Sequence, residues 1–170
     1  SLFDYQDIKV RSIILVINGS NGDILWIKNV SGYVYPRETN NGLEPTVVNG
    51  VIYIDIVNVG KVMAINLTNG NIIWQTKLYG YGGITNPIYV NGYLLIPAGY
   101  YIEVVNAGTG KIINLYPTGQ DQNIPTIVVG NTVIIDGVFG YVEAMPLYYV
   151  IHNTTSIFQI YKSDFNQAIP

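Results

Sequence analysis

Apolar positions along this chain fall in short runs, such as Ile13–Ile17 and Val51–Ile54, and glycine with Asn or Thr closes one run before the next begins. One pattern reads Pro45-Thr46-Val47-Val48-Asn49-Gly50-Val51-Ile52-Tyr53-Ile54. It recurs as Pro87-Ile88-Tyr89-Val90-Asn91-Gly92-Tyr93-Leu94-Leu95-Ile96, and again from Pro125 through Gly130-Asn131 to Ile135. Each copy predicts two β-branched or aromatic strands around an Asn-Gly or Gly-Asn turn, the strongest short-range signal of a β-hairpin.

A second pattern alternates with the first. Val16 to Trp26 and Ala64 to Trp74 both read as strand, Asn-containing glycine turn, strand, and Val104 to Asn114 repeats the arrangement with Thr109-Gly110 in the turn. Gly22, Gly70 and Gly110 supply the positive φ such a turn needs. These glycines lie 48 and 40 residues apart, and the prolines that open the first pattern lie 42 and 38 apart. Two hairpins per period of that length make one four-stranded propeller blade. No stretch of ten or more residues carries the 3.6-residue apolar period of a helix.

The expected fold is therefore all-β, a β-propeller of four-stranded antiparallel blades. About four repeats fall roughly at 1–29, 44–78, 86–116 and 124–161, within one domain or segment spanning 1–170. Blades stacked on both faces account for strands that run apolar without alternation. Ser1 to Asp7 reads as entering a repeat near its second strand, and Ala168-Ile169-Pro170 as opening a new first strand. Two closures stay open: a ring of four blades, or a segment of a larger ring of six to eight whose other blades lie elsewhere on this chain or on another. The second is favoured.

The stretch Ala64 to Trp74 resembles the repeat of pyrroloquinoline-quinone (PQQ) enzymes and their cofactor-free relatives, Ala-x-Asp-x-x-Thr-Gly-x-x-x-Trp. Trp26 and Trp74 match, Asn114 replaces the third Trp, and Asn18, Asn66 and Asn106 stand where the family usually has Asp. The resemblance covers roughly residues 8–150, and the fourth copy, near Gly140–Ala144, loses its turn and Trp. It implies that Trp26 and Trp74 dock onto the neighbouring blade while Gly22, Gly70 and Gly110 close the turns. Quinone-binding members stack the cofactor against a vicinal disulfide and a Trp, beside Ca²⁺ and an acidic base. This sequence has no cysteine and its two Trp are taken by the repeat, so no cofactor is expected.

Composition narrows the function classes. Charged residues make up 11% of the chain against 49% hydrophobic, about half the usual charged share. A net charge of −3 with basic residues scattered singly leaves no stripe for phosphates, so nucleic acid is not an expected partner. No apolar run approaches the roughly 20 residues of a membrane-spanning helix, and no signal sequence is read at Ser1. Asn18, Asn29, Asn66 and Asn153 each head an Asn-x-Ser/Thr triplet, the acceptor pattern for N-linked sugar.

Candidate chemistry is sparse. Asp7, Asp55 and Asp136 are read at equivalent connections between second and third strands, where three carboxylates could approach one Ca²⁺, although Asp also suits a turn and no metal is expected. Glu103 and Glu143 share a third-strand position, which fits a pair of glycosidase carboxyls less well than solvent exposure or an inter-blade hydrogen bond. His152, the one histidine, is read in an exposed loop without triad partners. Tyr79 and Tyr81 sit on the Gly-rich loop Tyr79-Gly80-Tyr81-Gly82-Gly83, well suited to protein or sugar contacts.

These features favour a non-enzymatic, extracellular or surface-exposed scaffold, of an archaeal or viral kind, whose partners are other protein subunits or glycans. A fragment of a quinoprotein-like dehydrogenase and a carbohydrate-active enzyme using carboxylates such as Asp55 and Asp136 remain the alternatives.

Overall fold

The computed structural model describes residues 8–34, 45–56, 60–80, 86–118, 126–137 and 141–152. Blade 1 comprises β1 (Ile8–Ile17) and β2 (Ile24–Val34). Blade 2 holds β3 (Thr46–Val48), β4 (Val51–Ile56), β5 (Lys61–Asn66) and β6 (Ile72–Lys77). Blade 3 repeats this with β7 (Ile88–Val90), β8 (Tyr93–Ala98), β9 (Tyr101–Asn106) and β10 (Ile112–Pro117). Blade 4 has β11 (Thr126–Val129), β12 (Thr132–Gly137) and β13 (Tyr141–Pro146), followed by the short helix α1 (Leu147–His152).

Each sheet is an antiparallel meander in chain order. The fold is all-β with four-stranded sheets in propeller style. Asn49 (φ 49°) with Gly50 (φ 75°), and Asn91 (φ 49°) with Gly92 (φ 82°), turn the first hairpins of blades 2 and 3. Both central residues have positive φ, the type I′ geometry whose twist matches that of the flanking strands.

The two middle strands of blades 2 and 3 are buried on both sides along most of their length, which is why their sequences do not alternate. Three apolar layers result, one at each junction. Ile14, Val16 and Trp26 of blade 1 meet Ile52, Ile54, Met63 and Ile65 of blade 2. Tyr53, Val62, Ala64 and Trp74 of blade 2 meet Leu94, Ile96 and Val105 of blade 3. Leu95, Ile102, Val104 and Tyr116 of blade 3 meet Val133, Ile135, Met145, Leu147, Val150 and Ile151.

Helix α1 is the departure from the expected pattern. The third strands of blades 2 and 3 lead into Asn-headed glycine turns, but the fourth copy has no such turn after Pro146 and coils instead. Leu147, Val150 and Ile151 turn inward at helical spacing. Six residues are too few for the ten-residue window in which a helical period is legible. His152 accordingly ends a helix rather than lying in a loop, and its ring sits 4.6 Å from that of Tyr148 one turn earlier.

Candidate functional site

The repeated turns form sockets. Asn66 Oδ1 accepts the amides of Thr68 (2.8 Å) and Asn69 (3.3 Å). Asn106 Oδ1 likewise accepts those of Gly108 (3.1 Å) and Thr109 (2.9 Å). A side-chain oxygen satisfying backbone donors shapes the turn as an Asx motif. The turn is then tied to the first hairpin of its own blade, Leu67 N–H to Gly50 O and Ala107 N–H to Gly92 O, both at 2.9 Å. Leu147 N–H donates to Asn131 O at 2.7 Å in the same way, so blade 4 keeps the tie although its turn has become α1.

Into each socket the preceding blade inserts a donor. Trp26 Nε1 donates to Leu67 O at 2.7 Å, and Trp74 Nε1 to Ala107 O at 2.9 Å. Asn114 Nδ2 donates to Val150 O at 2.8 Å. The carboxamide thus takes over the reach of the indole where the acceptor is a helix carbonyl. The indole faces lie on the turn glycines. A Cβ at Gly70 would stand 2.9 Å from the Trp26 ring, and one at Gly110 2.6 Å from the Trp74 ring, so neither position has room for a side chain.

Other contacts reinforce the middle junction. Thr76 Oγ1 donates to Gly110 O at 2.6 Å, and Thr46 Oγ1 donates to Pro87 O. Tyr53 lies 6.0 Å from Trp74 and stacks at 6.1 Å on Tyr89 of blade 3.

Glu103, on β9, is fully buried and its Oε1 accepts the Gly80 N–H of blade 2 at 2.8 Å. Burial pushes its carboxyl above the usual range, against the opposing pull of the Gly80 and Tyr79 amides. Of the readings weighed for Glu103, a glycosidase carboxyl, solvent exposure and an inter-blade hydrogen bond, the geometry gives the last. Its counterpart Glu143, on β13, raises the Tyr116 hydroxyl of blade 3, adding to the larger effect of burial. Tyrosines flank the loop contact above Glu103: Tyr79, next to Gly80, is 75% exposed and Tyr100, near Ala98, 61%.

Gly80 is a feature the sequence did not single out. A Cβ there would stand 2.4 Å from the Ala98 carbonyl oxygen, so backbone packs on backbone where blade 2 leaves its last strand. Gly80→Ala is expected to lower stability by about 1–3 kcal/mol, read as a lower urea midpoint. The only sequence signal was the Gly-rich context of the loop.

Asp55 and Asp136 belong to strands β4 and β12, where they pair with Val62 and Val142, not to the connections where the sequence placed them. The strands extend further than their apolar runs because the middle of a blade is paired on both sides. Asp55 is buried within the sheet, and the two lie two blades apart. Among the described residues no group of three or more His, Cys, Asp or Glu could hold a metal ion. Asp7, Tyr81 and Asn153 lie outside the described residues. Gly22 and the glycosylation candidate Asn29 are exposed, whereas Asn18 and Asn66 are half-buried, each with its side-chain oxygen engaged in a turn. A largely apolar cleft of about 450 Å³ opens beside α1, lined in part by Tyr93, Tyr148 and His152. No described helix is long and apolar enough to cross a membrane.

No protein-family model matches the chain. It is 29% identical over 155 residues to the tetrathionate hydrolase of Acidithiobacillus ferrooxidans, an alignment covering 84% of this chain and 30% of that protein. It is 33% identical over 63 residues to the tetrathionate hydrolase of Acidianus ambivalens, 36% of this chain and 12% of that one. The chain therefore spans under a third of the length of these curated relatives. Among solved structures it is similar to BamB from Moraxella catarrhalis, with a TM-score of 0.64 and 13% identity, over 82% of this chain and 42% of that chain. A Bacteroides caccae protein of unknown function aligns at a TM-score of 0.50 and 16% identity, over 74% of this chain and 48% of that chain.

Proposed function

We propose that this chain forms four blades of a propeller enzyme acting on tetrathionate or a closely related polythionate. One observation carries the reading: 155 aligned residues at 29% identity to a tetrathionate hydrolase, running through most of the repeats described above. In this reading the sockets and the Glu103–Gly80 bond hold successive blades at a fixed angle. The surface of Tyr79 and Tyr100, above the buried Glu103–Gly80 bond, is the face that carries the site, because strand connections with exposed aromatic groups lie there on a rigid scaffold.

The test incubates the purified chain with tetrathionate from acid to neutral pH and follows its consumption by ion chromatography, beside a thermal-shift titration with the same anion. Consumption above the protein-free rate, or a saturable rise in melting temperature, supports the reading. Unchanged tetrathionate together with an unmoved melting curve sinks it.

A second reading is the contact-making scaffold outside the cell or on its surface, without chemistry of its own. The exposure of Tyr79, Tyr100 and Tyr148 favours it, since rigid amphipathic rings make good contacts with proteins and glycans. Saturable binding on a glycan array that is lost in Tyr79→Ser, with tetrathionate untouched, would favour this over hydrolysis.

A further inference from the structure

Basic residues are scattered singly along the sequence, but the sheet of blade 2 brings two of them together. Lys61, the first residue of β5, and Lys77, the last of β6, are register partners across the strand pair. Partners of this kind stand about 4.5–5.5 Å apart at Cα. The described cations of blade 1, Lys9, Arg11 and Lys28, have Tyr33, Ser31 and Ile14 opposite them instead, so Lys61 and Lys77 are the one cation pair in register among the described strands. Like charges directly opposite each other destabilise a sheet.

Side-chain alternation fixes the side on which the pair lies. Met63 and Ile65 of β5 belong to the apolar layer shared with blade 1, and Lys61, two positions before Met63, takes the same side. On β6, Trp74 and Leu78 enter the layer shared with blade 3, and Thr76 bonds to Gly110 there. Gln75 and Lys77 therefore take the other side, and Tyr79 follows beyond the strand. All three are exposed, at the edge of their sheet, with Lys61 half-buried beside them.

The described carboxylates lie elsewhere. Asp55 shares its side of β4 with Tyr53, which belongs to the layer with blade 3, and Glu103 accepts the Gly80 amide in that same junction. Asp136 and Glu143 belong to blade 4, and Asp23 is bonded to Asn21 in the turn of blade 1. The segments adjoining the two lysines in sequence, 57–59 and 81–85, contain no Asp or Glu. Two ammonium groups, each with a full charge and three donors, thus stand together beside a carboxamide and a phenol. A dianion placed there turns their mutual repulsion into two attractions.

We propose that Lys61 and Lys77, with Gln75 and Tyr79 beside them, form a binding patch for a dianionic sulfur oxyanion. The patch rests on the polythionate reading above and deepens it, since Lys77 lies two positions before Tyr79, on the face assigned there to the site.

Calorimetric titration of the purified chain at fixed pH and ionic strength tests it, with tetrathionate and sulfate as separate probes and tetrathionate consumption followed in parallel. Saturable tetrathionate binding is expected, weakened about five- to tenfold by Lys61→Gln or by Lys77→Gln, the loss of one charge-assisted contact at a partly exposed site. Lys111→Gln, at an exposed turn position, should bind like the parent. Without any anion, Lys77→Gln should melt above the parent at low ionic strength, and the gap should close as salt screens the repulsion. Parent-like affinity in both lysine variants overturns the patch while leaving tetrathionate consumption, and the reading it supports, intact. Absence of saturable binding of either anion by the parent also overturns it. Sulfate binding that is lost in the variants, with tetrathionate neither bound nor consumed, upholds the patch and sinks the polythionate reading instead.

Discussion

Replacing Trp74 by alanine is expected to lower the unfolding free energy by about 3–5 kcal/mol, the range for deleting a large buried aromatic. Typical domains have only about 5–15 kcal/mol to lose, so the variant should melt far earlier. The indole is half-buried, which argues for the lower end of the range, but it does three things at once. It covers Gly110, lies 6.0 Å from Tyr53, and donates to the Ala107 carbonyl at 2.9 Å. Trp74→Phe retains most of the ring and loses the N–H, so it should cost only about 1–3 kcal/mol, the price of one lost bond at a partly buried carbonyl. Gly110→Ala attacks the same socket from below: its Cβ would stand 2.6 Å from the indole, at a backbone φ of +73°. Since both substitutions break one contact, the double variant Trp74→Ala/Gly110→Ala should lose clearly less than the sum of the two single losses. Urea unfolding followed by circular dichroism gives all four values. A Trp74→Ala midpoint equal to that of the parent would remove the docking account.

That contact was legible in the sequence because the repeat displays it. A tryptophan four residues after the turn glycine recurs at Trp26 and Trp74, and the hairpin turns Asn49-Gly50 and Asn91-Gly92 demand a backbone that few other pairs adopt. Local chemistry of this kind is written where it acts. Long-range chemistry is not. Glu103 finds its partner in a backbone amide 23 positions away, and no side chain at Gly80 announces it. Helix α1 is shorter than the window in which a helical period shows, and Asp55 and Asp136 were misplaced because an acidic residue in an otherwise apolar run reads as its end. Gly22 was legible as a turn residue from its place in the repeat, but only the structure shows that Gly70 and Gly110 are covered by indoles whereas a Cβ at Gly22 meets nothing among the described residues. The function was least legible, since the conspicuous motif serves packing, and the link to tetrathionate hydrolases lies in overall similarity rather than in a catalytic signature.

Acidification is expected to strengthen the junction between blades 2 and 3. Glu103 is buried with apolar register partners, Ile96 on one side and Leu115 on the other, and burial raises its carboxyl above the usual carboxylate range. An acid whose pKa is higher in the folded than in the unfolded chain binds more protons when folded, so stability falls as pH rises between the two values. The stabilisation is fully present below the unfolded value, diminishes as pH climbs through the folded value, and is absent beyond it. Glu103→Gln keeps a carbonyl oxygen for the Gly80 N–H but carries no charge to bury. It should therefore be more stable than the parent at neutral pH, by about 1–3 kcal/mol if the buried carboxylate is as poorly compensated as its surroundings indicate. At a pH below the unfolded carboxyl range the advantage should vanish, because Glu103 is then neutral too. Glu103→Ala discards the acceptor and leaves a cavity, so it should be less stable than the glutamine variant at every pH. Melting temperatures of the three proteins across the acid range provide the comparison. Parallel curves for the parent and Glu103→Gln would mean that Glu103 does not titrate between the folded and unfolded states, and a glutamine variant less stable at neutral pH would mean that the Gly80 amide requires the charge.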